Sequence, residues 1–533
     1  MRPSSIAKLA APGAGEILRR PRVLKLIDRS LKTGRSWLAA PAGYGKTTAI
    51  VDYLNSTRAP SIWFRVDEGD QDIGRFFHYL AQSLPERQAA RLPVFGPEYA
   101  EQPEEFAHLY FHAYFAELKP ATILVLDDLH DADTPPFRSI LAVMLRELTN
   151  GVRSICMSRT LPQEEVADLA RSRQPALIDR SDLEFSDAEA RALVKLRLHQ
   201  TAVRLDVAPA RGWALGLVLL AERGPSLGLP GTDELDGGAD APFAVMAGHF
   251  FEALSPAEQE LLVQLNLLPE IRTDLADALT GSVEAGRLLR RLYQRQLLIT
   301  RSGSRGNDFQ LHDLLRDFLD QCLTERYSPE EQARLREKAA IVLREAGRFD
   351  EAIALALQAA AWGLARQLML DRAGPMLAEG RRATFIDWCA RLPPAEMTAW
   401  LSYWLGVAHL PDDAAAERWL SRAWASFEES GDRRGQCLAI SRTVLVKATS
   451  WRTYEGFSAW TRRATAILEA GLPELADDED LLVRSGMVRA LDFADEYYRE
   501  GPVGQALVSE LLQRLSERPP ATRAACDCRR ANP

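Results

Sequence analysis

Along the first third of the chain, short unbroken apolar runs alternate with stretches in which apolar residues recur every three or four positions. The runs Ser36–Ala39, Ser61–Val66, Thr122–Leu126 and Ser154–Ser158 predict strands. The stretches Thr47–Leu54 and Ile73–Leu84 predict helices between them. This alternation predicts an α/β domain, a parallel sheet with flanking crossover helices. Thr122–Leu126 is apolar almost throughout, as a central parallel strand covered on both faces must be. From Ser186 the period becomes helical. Ser186 with Glu189 predicts a capping box that opens a helix through Leu198.

Gly224–Pro242 is dense in Gly, Pro and Asp and predicts an interdomain linker or long loop. From Phe243 to about Leu323 several helical patterns lead into Leu297–Arg301, a turn-like SGSRGND, and Phe309–Leu319. Helices followed by a small hairpin fit a winged-helix domain. Beyond Pro329 nearly everything reads as Ala-rich amphipathic helix with breaks at Gly or Pro. Ala346–Ala360 and Trp404–Asp432 carry small residues where paired helices must approach closely, which predicts a TPR-like (tetratricopeptide) helical repeat array. Trp388, Trp400, Trp404, Trp419 and Trp424 sit at core-like spacings within it. The expected division is an α/β core at residues 1–180 and an all-α helical lid with its linker at 181–242. A winged-helix-like domain at 243–328 and the repeats at 329–533 follow.

With 533 residues the chain exceeds one ordinary core, so several domains are required. Its 47% hydrophobic and 26% charged residues are the balance of a soluble globular protein and exclude extensive disorder. A net charge of −9 gives no support to bulk electrostatic binding of nucleic acid. No apolar run reaches the roughly 18 residues of a membrane span, and the N-terminus lacks a secretory pattern. A cytoplasmic setting is therefore expected. The six cysteines, among them Cys526 and Cys528 near the end, show no paired zinc spacing and read as reduced thiols.

The chemistry concentrates in three places. Ala40–Thr48, APAGYGKTT, fits the P-loop pattern with Ala40 in place of the first glycine. Such a loop needs successive backbone N–H groups curled around phosphate oxygens, so Ala42, Gly43, Tyr44, Gly45, Lys46, Thr47 and Thr48 are the expected nucleotide-binding residues. Gly43 and Gly45 permit the required backbone angles. Lys46 neutralises the β- and γ-phosphates, the Thr47 hydroxyl ligates Mg²⁺, and the helix that follows adds its N-terminal dipole. Ile123–His130, ILVLDDLH, is an apolar strand ending in two carboxylates and resembles a Walker B motif. Asp127 is expected to hold Mg²⁺ and Asp128 to polarise the attacking water. Third, SICMSR ends in Arg159, a candidate γ-phosphate sensor at the adjacent strand edge, or else a surface arginine after a strand. The expected cofactors are ATP or ADP with Mg²⁺.

Together these residues resemble the STAND-class P-loop NTPases and, within them, the MalT-like regulators. The marks are RRPRVLKLID (Arg19–Asp28), APAGYGKTT, VLDDLH, SR followed by DLEFSDAEA (Asp182–Ala190), GWALGL (Gly212–Leu217) and LHDLLRDFL (Leu311–Leu319). The resemblance implies a switch in which ADP is locked between the NTPase core and the winged-helix domain. LHDLL is similar to the His-Asp motif of NB-ARC proteins, which implies that His312 contacts the nucleotide phosphates. GWALGL is similar to a motif that packs near adenine, although Ala214 stands where NB-ARC proteins have proline. In the same picture Arg19 to Arg22 lie near adenine and ribose. MalT-like regulators end in a LuxR-type helix-turn-helix. No such basic recognition helix is found before Pro533.

Two functions follow as expectations. One is an ATPase switch of the transcription-regulator type, with slow hydrolysis resetting it, an inducer sensed by the helical repeats and self-association in the ATP form. The other is a partner-recruiting scaffold or defence-like sensor with no DNA role. A metabolic ATPase is disfavoured, because no substrate-handling motif accompanies the P-loop. Neither a membrane nor direct nucleic-acid binding is expected of this chain alone.

Overall fold

The computed structural model describes residues 7–13, 16–163, 166, 176–198, 206–223, 247–248, 251–252, 254–294, 299–302, 308–410, 412–450, 457–492 and 501–516. Two compact units emerge: Met1–Phe95 with Glu101–Ala361, and Gly96–Ala100 with Trp362–Pro533. The linker Gly224–Pro242, the SGSRGND turn apart from its ends, and Cys526 and Cys528 lie outside the described residues.

The first unit begins with a two-residue strand β1 (Pro12–Gly13) and helix α1 (Pro21–Ser30). Strand β2 (Arg35–Ala39) leads through the glycine loop into α2 (Lys46–Thr57); β3 (Ser61–Arg65), α3 (Ile73–Ala81) and α4 (Pro103–Glu117) follow. Then come β4 (Ile123–Asp127), α5 (Pro135–Glu147), β5 (Arg153–Ser158) and β6 (Ala176–Ile178). All five strands from β2 to β6 pair in parallel in the order β3-β4-β5-β2-β6. The four strands expected from the apolar runs are found to within a residue or so at each end. Each residue of β4 is buried, as two flanking strands and helices on both faces require. Against the sheet packs an aromatic cluster from α3 and α4. In it Phe77 meets Phe106 at 4.9 Å and Tyr110 at 4.5 Å between ring centroids.

A lid follows. It starts with one turn, α6 (Arg180–Leu183), and continues in α7 (Asp187–Leu198), opened by the expected capping box. Ser186 N–H donates to Glu189 Oε2 at 3.0 Å, and Glu189 N–H donates to Ser186 Oγ at 3.3 Å. Helix α8 (Ala214–Arg223) packs on α7 through Leu193, Val194, Leu217 and Leu220.

The winged-helix domain comprises α9 (Pro256–Leu265), β7 (Ile271–Arg272), α10 (Thr273–Thr280) and α11 (Glu284–Gln294). The hairpin β8 (Ile299–Ser302) and β9 (Asp308–Leu311) then delivers the chain into α12 (Asp313–Arg326). Its antiparallel sheet has the order β1-β8-β9-β7, so the edge strand beside β8 comes from the distant N-terminus. Arg316 on α12 donates to the Asn266 and Leu268 carbonyls at 3.1 and 2.9 Å. It thereby caps the end of α9. The unit closes with the helix pair α13 (Pro329–Glu345) and α14 (Phe349–Gln358).

Described by itself, the second unit is helical throughout its described length. It contains α15 (Trp362–Ala378), α16 (Arg382–Ala390), α17 (Ala399–Ala408), α18 (Asp413–Ser430) and α19 (Arg433–Ser450), then α20 (Phe457–Glu469), α21 (Asp477–Leu491) and α22 (Pro502–Ser516). Successive helices pack as a TPR-like array. Gly406 of α17 admits Leu420 of α18: a Cβ there would lie 2.7 Å from the Leu420 side chain. Trp388 and Trp424 are buried as expected, whereas Trp400, Trp404 and Trp419 are half-buried. Among the described residues no helix is long and apolar enough to cross a membrane.

Candidate functional site

Parallel strands place their carboxyl ends on one edge of the sheet, and this is where the candidate residues gather. The loop after β2 turns through Gly43 (φ 76°) and Gly45 (φ 80°), both left-handed, before α2 starts at Lys46. Space constrains Gly43 as well. A Cβ there would lie 2.8 Å from both the Leu215 side chain and Trp213 Nε1. The lid is seated on the loop by hydrogen bonds: Trp213 Nε1 donates to the Ala42 carbonyl at 3.2 Å, and Leu215 N–H donates to the Gly43 carbonyl at 3.0 Å.

Lys46 is buried, and its Nζ donates to the Ala40 and Pro41 carbonyls at 2.6 and 3.2 Å. Burial lowers its pKa, while the carboxylates of Asp127, Asp128 and Asp313 oppose that shift. Thr47 Oγ1 donates to Asp127 Oδ2 at 3.2 Å. Asp127, at the end of β4, is only 3% exposed; burial and the neighbouring Asp128 push its carboxyl up to about 8. A hydroxyl and a buried carboxylate oxygen in contact form a hard-oxygen donor set suited to Mg²⁺.

Asp128 adopts a left-handed conformation (φ 58°) and pairs with Arg65, whose Nε donates to Asp128 Oδ2 at 2.8 Å. Arg65 ends β3 directly opposite Asp127 in register. Arg159, just after β5, and Arg65 both reach Asp313 of α12, at 3.3 and 2.8 Å. Burial alone raises the Asp313 carboxyl, but the Arg65 and Arg159 guanidinium groups more than reverse this and hold it below its ordinary value. His312 caps α12, with Nδ1 accepting from Leu314 N–H at 3.3 Å. Burial lowers its pKa, and with Nδ1 accepting, Nε2 is the ring nitrogen left to donate.

These groups line one cavity of about 320 Å³ between the sheet edge, the lid and the winged-helix domain. Ala42, Gly43, Gly45, Lys46, Thr47, Thr48, Asp127, Asp128, Arg159 and His312 all contribute to its wall. Tyr44 does not: its ring is buried under Arg180, 5.1 Å away, which leaves only its backbone for the loop. The remainder of the wall is largely apolar and includes Ile17, Val51, Leu193, Ala214, Leu215 and Val218.

Arg20 and Arg22, which the family picture sets near adenine and ribose, make their hydrogen bonds in this structure to the lid. Arg20 Nη2 donates to the Leu183 and Glu184 carbonyls at 2.8 and 2.9 Å, and its guanidinium stacks 3.8 Å from the Phe185 ring centre. Arg22 donates to the Asp182 and Glu184 carbonyls, both at 2.7 Å. They bind the last carbonyls of α6 and fasten α1 to the lid. Glu16 and Ile17 line the main cavity. Sequence reasoning passed over these two, and also Arg65, which stands unremarked in FRVDEGD. Position at a strand's carboxyl end was the available signal for Arg65.

Residues 247–332 match the family model of the MalT winged helix domain. The chain is similar to the HTH-type transcriptional regulator MalT of Klebsiella pneumoniae, 25% identical over 406 residues, covering 74% of this chain and 43% of that protein. It is likewise 25% identical over 473 residues to MalT of Yersinia pestis, covering 86% and 50%. The chain thus spans about half the length of the curated relatives it matches. A solved structure of similar fold is the Signal Transduction ATPase with Numerous Domains (STAND) protein with a tetratricopeptide repeat sensor from Pyrococcus horikoshii. The TM-score is 0.57 at 14% identity, over 95% of this chain and 78% of that one.

Proposed function

We propose that this chain, a MalT-like STAND-type P-loop NTPase, is a signalling switch worked by exchange of ADP for ATP. The carrying observation is that the glycine loop, the Asp127 strand end, the lid and the His312 corner of the winged-helix domain all line a single cavity. In this reading the backbone N–H groups from Ala42 to Thr48 and the Lys46 ammonium hold the phosphates. Thr47 and Asp127 hold Mg²⁺, which when bound would screen the phosphate charge. His312 donates from Nε2 to a β-phosphate oxygen, joining the winged-helix domain to the nucleotide. The apolar wall around Ile17, Leu193, Ala214 and Val218 takes the adenine.

Asp128 is the group that polarises water for a slow hydrolysis that resets the switch. The helical array is the sensing part, where a small-molecule or protein inducer binds, and ATP-bound chains self-associate. The naming of the repeats as a sensor in the structurally similar Pyrococcus protein supports that assignment. The test is Lys46→Ala. Loss of a charge-assisted phosphate contact, worth about 1.5–3 kcal/mol, lowers ADP and ATP affinity at least about tenfold in titration calorimetry. Unchanged affinity contradicts the reading.

A further inference from the structure

Before it reaches α1, the chain crosses from the NTPase domain to the winged-helix domain in a few residues. A single 3₁₀ turn, Ala7–Leu9, seats Lys8 on the NTPase side. The Lys8 ammonium donates to both Asp70 oxygens at 2.8 and 2.7 Å and to Asp67 Oδ2 at 2.9 Å. It also lies 4.9 and 5.0 Å from the ring centres of Phe64 on β3 and Tyr79 on α3. The Asp70 side chain is fully buried, so withdrawing Lys8 would take a direct charge partner from a buried carboxylate. This end is an anchor. The other end is β1, which lies on β8 with Pro12 opposite Ser302 and Gly13 opposite Arg301. That pairing is two residues long, and Pro12 has no N–H to donate to it. It is the weaker end.

We propose, resting on the P-loop reading above, that residues 7–13 form a strap whose clasp on β8 has to open before nucleotide exchanges. The four residue steps from Lys8 to Pro12 span at most about 14 Å. The β8–β9 hairpin therefore cannot swing far from the NTPase domain until one end of the strap lets go. Breaking a buried ion pair costs more than breaking a two-residue edge ladder, so the clasp gives way and the anchor holds. Pro12 lines the cavity together with Gly43, Lys46 and Thr47. Lifting β1 off β8 thus breaches the wall that encloses the glycine loop. Lys8 keeps the freed strap on the NTPase side, in place to pair again when the hairpin returns.

The experiment locks the clasp reversibly. Gly13→Cys together with Arg301→Cys places thiols on two residues directly opposite in the ladder, where a disulfide can form. The full chain with both substitutions is loaded with a fluorescent ADP analogue and Mg²⁺, and release is followed with and without dithiothreitol. The oxidised protein is expected to release the analogue at least about tenfold more slowly, and dithiothreitol to restore the faster rate. The parent chain should release at one rate under both conditions. Lys8→Met keeps the length of the side chain and removes its charge; it is expected to speed release and also backbone amide exchange in β8. If mass spectrometry finds no disulfide after oxidation, β1 does not sit on β8 and the strap is rejected. A cross-linked protein that releases nucleotide at the reduced rate also rejects it, while the P-loop reading stands. If the parent chain takes up no analogue, the P-loop reading fails and amide exchange alone judges the strap. Exchange in β8 left unchanged by Lys8→Met then rejects the strap, and faster exchange upholds it. Should Lys8→Met not fold, the disulfide decides: β8 exchange that is no slower in the oxidised than in the reduced protein rejects the strap.

Discussion

Asp127 and Asp128 are neighbours in sequence with opposite surroundings. Asp127 completes a buried strand, accepts from Thr47 and has its carboxyl pushed up to about 8 by burial and by Asp128. Asp128 turns through a left-handed conformation that carries its carboxylate away to Arg65. Identical groups are thereby given different chemistry. Asp127→Ala is expected to weaken Mg²⁺-dependent nucleotide binding, since it deletes an oxygen from the metal shell. Asp128→Asn is expected to bind ATP normally and hydrolyse it far more slowly, because an amide takes up no proton from water. A Mg²⁺ titration of nucleotide affinity and a phosphate-release assay check the pair. If both variants release phosphate at the parent rate, the assignment of these two carboxylates is wrong.

Among the elements, α12 is the one to which the proposed switch assigns the coupling, because its first turn brings His312 and Asp313 to the cavity. A neutral imidazole donating to ADP only when the winged-helix domain is closed contributes about 1–2 kcal/mol to that state, a population factor of about five- to thirtyfold. His312→Ala is therefore expected to release a fluorescent ADP analogue faster and, with ATP, to raise the mass seen by light scattering. Slower or unchanged release with unchanged mass would make His312 an ordinary packing residue. Elements of this kind differ in how far the sequence exposes them. Strands β2 to β5 are legible because burial on both faces writes a continuous apolar run, and α7 because its capping box is local. The strand β1 is illegible: Pro12 and Gly13 have no strand propensity, and their pairing is decided by Arg301 and Ser302, nearly 300 residues away. A separation of 248 residues likewise hides the Arg65–Asp313 pair. Arg20 and Arg22, placed near adenine and ribose by the family resemblance, also spend donors on helix-end carbonyls of the lid, contacts between α1 and the lid that no local pattern announces.

Across the first unit, one short N-terminal segment touches both bodies that enclose the cavity. Lys8 is held by Asp70 at 2.7 Å and Asp67 at 2.9 Å on the NTPase side, and β1 joins the winged-helix sheet a few residues later. Glu16 and Ile17 then line the cavity, so the winged-helix domain, the N-terminal segment and the glycine loop are parts of one arrangement. In the proposed switch this arrangement is expected to retain a diphosphate, since the lid, the strand and α12 would have to separate before the nucleotide could leave. The purified chain is accordingly expected to hold ADP. The direct measurement is to denature freshly purified, extensively washed protein and identify any released nucleotide by chromatography. ADP is expected in stoichiometric amount from the parent chain, with a large loss of it from Lys46→Ala. A parent chain that releases no adenine nucleotide, and takes up none when Mg²⁺ with ADP or ATP is added back, would contradict it.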